Sequence, residues 1–193
     1  MRPPPQEGEL SGARWVDRFP TSTSTADLAQ PFQGNVNTFI SALRAAGATI
    51  AINATYRPPE RAYLMHYSFR IAREGLDPAN VPARAGVDIR WLHTNAQGRP
   101  DLGASRQGAE AMVRGYGIVH RPVLASRHTE RLAIDMDISW SRDLVITDRA
   151  GQRVTISSVP RTGAGNQDLH RVGASYGVHK LAGDPPHWSS DGH

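Results

Sequence analysis

The chain has no cysteine, and all but one of its 22 basic residues are arginine, Lys180 being the exception. Without thiols it can build neither a disulfide framework nor a cysteine nucleophile, and any metal site must draw on histidine and carboxylates. It has no apolar run of about eighteen residues, so no apolar transmembrane helix is expected. The opening Met1-Arg-Pro-Pro-Pro-Gln-Glu has none of the apolar stretch of an ordinary secretory signal. The arginines are scattered and do not alternate with aromatics, which make up 7% of the chain, so a stacking platform for nucleic acid is not expected. At 193 residues, 39% hydrophobic and 21% charged, the chain is long and apolar enough to bury a core unaided. Its net charge of +4 favours an anionic partner, such as nucleic acid, a membrane surface or a cell wall.

Residues 1–32 read as an irregular lead, with Pro3 to Pro5 and then Thr21-Ser-Thr-Ser-Thr25 lacking any periodicity, and residues 33–193 read as the domain proper. Val36, Phe39, Ile40 and Leu43 follow the i, i+3, i+4, i+7 spacing of an amphipathic helix over 34–46, with Gly47 as its stop. Residues 49–54 read as a strand, and Pro58-Pro59 opens a helix that runs to about residue 73. Residues 75–104 are loop-rich around a short segment at 87–92. Ser105 is the expected cap of a further helix ended by Gly115 or Gly117. From Leu132 to Trp140 the pattern alternates: Leu132, Ile134, Met136 and Ile138 share one strand face, Ala133, Asp135, Asp137 and Ser139 the other. A hairpin turns at Asp148-Arg-Ala-Gly151, Asn166 caps a last helix, and residues 178–181 form a short strand. Helices and hairpin strands mixed without βαβ regularity predict an α+β fold, a small antiparallel sheet flanked by helices.

Two segments carry chemistry. Ser126-Arg-His128-Thr-Glu-Arg-Leu-Ala-Ile-Asp135 puts a histidine just before the alternating strand and a carboxylate on its polar face. A buried carboxylate needs its charge satisfied, and a metal ion shared with imidazole would do so. The same spacing fits an Asp–His hydrogen bond or an exposed strand face. Asp184-Pro-Pro-His187-Trp188 puts a carboxylate three residues before a histidine in a proline-stiffened loop. There the histidine can ligate while the carboxylate stays free to move a proton. A catalytic zinc needs that set: three protein ligands, one open position and a base. A solvated tail loop is the alternative.

Together these segments resemble the zinc peptidases that include D-alanyl-D-alanine carboxypeptidases and dipeptidases, phage L-alanyl-D-glutamate endolysins and the hedgehog signalling domain. The family pattern is Ser-x-His-x-x-Gly-x-Ala-x-Asp, followed much later by Glu or Asp, two residues and His. Ser126, His128, Ala133 and Asp135 match its first part, Asp184 and His187 its second, and Tyr56-Arg57 resembles an upstream Tyr-Arg-Ser segment whose arginine lies in the active site. The matches run from 56 to 188 in family order. The resemblance implies one zinc per chain on His128, Asp135 and His187, Asp184 as base, Arg57 in the active site, and Ser126 and Tyr56 toward substrate. Two positions depart from the pattern. Arg131 stands where the family has glycine, so either the turn differs or Arg131 faces the cleft. The base is Asp184 where carboxypeptidase-like members use Glu, which is similar to the endolysin-like members.

The expected function is therefore hydrolysis of amide bonds in peptidoglycan stem or cross-link peptides, as an endopeptidase in preference to a D-Ala-D-Ala carboxypeptidase. A hedgehog-like zinc-containing binding module is the alternative from another class. A Ser–His–Asp hydrolase on Ser126, His128 and Asp135 is disfavoured, because no Gly-x-Ser-x-Gly elbow is present. Without a visible signal, the expected route to the wall is holin release or specialised secretion from the cytoplasm.

Overall fold

The computed structural model describes residues 8–157 and 159–193. The fold is α+β, with four α-helices and small sheets among the described residues, and the chain divides into two compact units.

One unit joins Met1–Pro20 to Pro58–Ala125. It contains β1 (Glu9–Leu10), α1 (Pro59–Arg73), β2 (Ile89–Arg90) and α2 (Leu102–Tyr116). The described part of the N-terminal lead thus carries a strand, β1, which pairs with β2 in parallel. The two helices pack on each other over a core that includes Trp15, Leu64, Trp91 and Met112. α2 begins four residues earlier than the sequence indicates. Asp101 is its cap, its carboxylate accepting from the Ala104 amide at 2.8 Å. Ser105 lies inside the helix, where its hydroxyl donates to the Asp101 carbonyl.

The other unit joins Thr21–Arg57 to Ser126–His193. It contains α3 (Phe32–Ala45), β3 (Thr49–Ala54), β4 (Ala133–Ser139), β5 (Leu144–Thr147), β6 (Arg153–Ile156), α4 (Gln167–Ser175), β7 (His179–Lys180) and β8 (His187–Ser189). Its sheet is antiparallel in the order β3-β4-β8-β7, and β5 and β6 form a separate hairpin. The helical stripe Val36, Phe39, Ile40, Leu43 is buried, as is the strand face Ile134, Met136, Ile138. Burying each such side chain is worth about 2–3 kcal/mol. Gly47, at φ 98°, ends α3, and the Ala48 amide returns to the Leu43 carbonyl. Phe39 stacks on Tyr176 at 5.6 Å and packs against Trp188 at 5.7 Å. Gly173 on α4 lies so close to β8 that a Cβ there would fall 2.6 Å from the Trp188 ring. This packing fixes the strand whose neighbouring residue is His187.

Arg131 has a left-handed backbone conformation of the kind that favours glycine, at φ 64°, and its guanidinium lies 4.3 Å over the Tyr56 ring. The left-handed conformation costs a non-glycine residue about 1–2 kcal/mol, and a cation–π contact returns about 0.5–1 kcal/mol. The contact offsets about half of the cost, leaving a net penalty of about 1 kcal/mol or less. Arg131→Gly should therefore unfold within about 1 kcal/mol of the parent in urea. Arg131→Val, with a β-branched side chain at positive φ and no stacking, should lose about 2 kcal/mol or more. Equal stability of the Gly and Val variants would contradict this account of the turn.

Candidate metal centre

Strand register does most of the assembly. Asp135 sits on the central strand β4, directly opposite His187 on β8 and beside Ala54 on β3. Residues opposed in an antiparallel pair place their side chains on one face within reach of each other. The β3 register shifts between Ile52 and Ala54, a bulge that leaves Asn53 unpaired in the ladder and turns the strand end toward the site. Thr55 follows at once and is completely buried, pinned by its amide to the Ser22 carbonyl and by its hydroxyl to the Ser24 carbonyl. His128 comes from the turn before β4, and its own carbonyl accepts from the Arg57 amide at 3.2 Å.

The outcome is a triangle of donor atoms. His128 Nε2 is 3.1 Å from Asp135 Oδ1, His187 Nδ1 is 3.0 Å from the same oxygen, and the two nitrogens are 3.2 Å apart. Both rings are nearly inaccessible, at 4% and 7% exposure. Each ring's other nitrogen faces a main-chain oxygen: His128 Nδ1 lies 2.7 Å from Thr55 O, and His187 Nε2 3.2 Å from His193 O. A carbonyl oxygen can only accept, so those outer nitrogens carry the protons. In the neutral rings the inner nitrogens then hold lone pairs, and Asp135 contributes a third acceptor. Three acceptors around one point leave no donor among them, which is the electronic demand that a cation meets. Donors on a tetrahedral zinc with bonds of about 2.0–2.1 Å lie about 3.3 Å apart, close to the spacing found here. Carbonyl partners that fix the histidine tautomer are the usual support of such ligands. The residues thus fit a divalent metal, and among the described residues this is the cluster with that geometry.

Without an ion the same three groups pair with one another, an inner ring nitrogen then carrying a proton toward the carboxylate. Burial raises the Asp135 pKa, but hydrogen bonds and charge from His128 and His187 outweigh it and hold the carboxyl well below the usual range. Burial lowers His187, but the hydrogen bond and charge of Asp135 outweigh that and raise it, with smaller contributions from the His193 main-chain oxygen and then Asp184. Each group favours the charge of the other when no ion neutralises them.

Asp184, Tyr56, Arg57 and Ser126 fall in the same unit. Asp184 is exposed, and its carbonyl accepts from the His187 amide at 3.1 Å, so base candidate and ligand share one turn of chain. Tyr56 lies under Arg131, and Arg57, half-buried, is tied by its backbone to His128. The Ser126 hydroxyl is buried with no hydrogen-bond partner among the described residues. Asp137 is exposed and accepts from Asn53 at 2.8 Å, so it supports no ligand histidine. His170 bonds the Gly163 carbonyl and packs edge-on against Trp188, apart from the three ligand atoms. His66, His93 and His120 belong to the unit without the cluster. Thr55 and His193 escaped sequence reasoning, because they act through main-chain oxygens that every residue has.

Comparison with protein-family models, with curated proteins and with solved structures finds no match to this chain. No helix among the described residues is long and apolar enough to cross a membrane.

Proposed function

We propose that the chain is a zinc-dependent peptidase that cleaves amide bonds in peptidoglycan stem or cross-link peptides, of the group that includes D-Ala-D-Ala peptidases, L-alanyl-D-glutamate endolysins and hedgehog-like domains. The observation that carries the proposal is the converging set of three acceptors with both histidine tautomers fixed from outside. A zinc ion, when bound, supplies Lewis acidity for amide hydrolysis. Asp184 takes the proton of the attacking water and returns it to the leaving amine, a task that suits an exposed carboxylate next to a ligand. The Arg57 guanidinium stabilises negative charge on the carbonyl oxygen or clamps a substrate carboxylate. The Ser126 hydroxyl is buried and has no hydrogen-bond partner among the described residues, so a role toward substrate would need this segment to open. The net charge of +4 suits an anionic wall. The Asp at position 184 resembles the endolysin-like members, which favours an endopeptidase over a carboxypeptidase.

The first test is release of new amino groups from purified sacculi. Release that a chelator abolishes and zinc restores supports the peptidase. A protein that holds zinc but releases nothing is the outcome expected of a hedgehog-like binding module.

Arg57 has its own signature. Arg57→Ala should lower kcat/KM on stem peptides by about a hundredfold or more, as loss of a transition-state donor does. Arg57→Lys keeps the charge but loses the planar two-donor fork, and should fall between Ala and the parent. Zinc content should be unchanged in both. Kinetics paired with metal analysis checks this: loss of zinc together with activity would make Arg57 a structural residue.

A further inference from the structure

We propose that Lys180, the one lysine of the chain, is a positioning residue whose ammonium holds the loop between β7 and β8 in the shape that presents Asp184 and His187. The inference rests on the metallopeptidase reading for its catalytic consequence, but not for its structural one.

The loop, residues 181–186, is short of donors. Pro185 and Pro186 have no amide hydrogen, so two of its six positions cannot satisfy a carbonyl. Four backbone bonds hold it: Met136 N–H to Pro186 O at 2.8 Å, and three that end on carbonyls of Leu181, Asp184 and His187, namely Leu181 N–H to His187 O at 3.1 Å, Asp184 N–H to Leu181 O at 3.5 Å and His187 N–H to Asp184 O at 3.1 Å. Those same three carbonyls turn toward one point, and Lys180 Nζ occupies it. The ammonium donates to Leu181 O at 2.8 Å, to His187 O at 3.1 Å and to Asp184 O. Three convergent acceptors match the three donors of an ammonium, while a guanidinium spreads its donors in a plane and cannot aim three at one point. That geometry gives a reason for lysine at this position in a chain that otherwise uses arginine. The side chain is held further by the Trp188 ring, 5.8 Å from Nζ. Lys180 thus acts as a built-in cation in a cage of carbonyls, two of which belong to the base candidate and to a metal ligand. Loosening the cage lets both residues drift, and small displacements of catalytic groups cost much in rate.

The test compares the full chain with Lys180→Met and Lys180→Arg. Zinc affinity is read by competition with a chromogenic chelator, and amide exchange is read by NMR. In Lys180→Met the Leu181 and His187 amides should exchange at least about tenfold faster while those of α3 stay unchanged. Zinc should bind about ten- to a hundredfold more weakly, as when an outer support of a ligand is removed. Lys180→Arg keeps the charge and stem, so it folds even if the Met variant does not, and should show the same changes at lesser size. On stem peptides kcat should fall with KM unchanged. Parental zinc affinity and loop exchange in either folded variant would overturn the proposal. Because both are measured without substrate, a parent protein that cleaves no wall peptide would defeat the peptidase reading and leave the role of Lys180 to be judged on its own.

Discussion

Purified protein equilibrated with zinc is expected to hold about one ion per chain, and His128→Ala, Asp135→Ala and His187→Ala are each expected to lose it on dialysis. The three donor atoms lie 3.0–3.2 Å from one another, and removing any of them leaves two ligands where zinc takes at least three from a protein. The ion binds the folded chain in preference to the unfolded one, so it adds stability by mass action. At a free zinc concentration a hundred times the dissociation constant the gain is about 2.7 kcal/mol. For a chain of this length that raises Tm by about 5–10 °C. The parent should show this shift on zinc addition and the three variants should not. Elemental analysis and paired thermal scans check both halves. Full zinc occupancy in all three variants would remove the ligand assignment.

Asp184→Asn separates chemistry from binding. The amide keeps the size of the carboxylate and cannot accept the proton of water. Zinc content should stay near one per chain, because the three ligands are untouched, while turnover drops by about two orders of magnitude or more. The loop should survive, since the Lys180 and His187 bonds at this position go to the Asp184 carbonyl and not to its side chain. Metal analysis and steady-state rates on the same preparation decide it. A folded variant with unchanged turnover would move the base elsewhere, and Glu130 would be the next residue to replace. Glu130 is exposed and paired with Arg127 at 2.6 Å, which fits a surface role less suited to proton transfer.

The elements that could be read from the sequence are those whose physics is local. The α3 stripe, the alternation of β4 and the Asn166 cap of α4 each lie within a window of a few residues, and the structure has all three. The start of α2 was misplaced because Ser105 and Asp101 are both capping residues, and the choice depends on which amide lies within reach. β8 could not be read at all. It has three residues and no alternation, and it exists because β4, some fifty residues earlier, offers an open edge. The three candidate ligands could be named from motif spacing and resemblance, and the structure brings them together, while the main-chain groups beside them could not. Thr55 and His193 contribute main-chain oxygens, which leave no trace in residue type. Lys180 left a trace in its rarity among basic residues, but only the carbonyl cage gives that rarity a meaning. Arg131 stood out in the sequence where the resembled pattern has glycine, and in the structure it has a positive φ while its side chain rests on Tyr56.

The most direct test of the central claim is mass spectrometry of defined muropeptides after incubation with the protein, with and without chelator. A zinc-dependent endopeptidase should split the stem or cross-link internally, expose a new amino terminus there, and stop when chelated. Loss of a terminal D-alanine alone would make the enzyme a carboxypeptidase. Intact muropeptides after incubation with fully zinc-loaded protein would contradict the account.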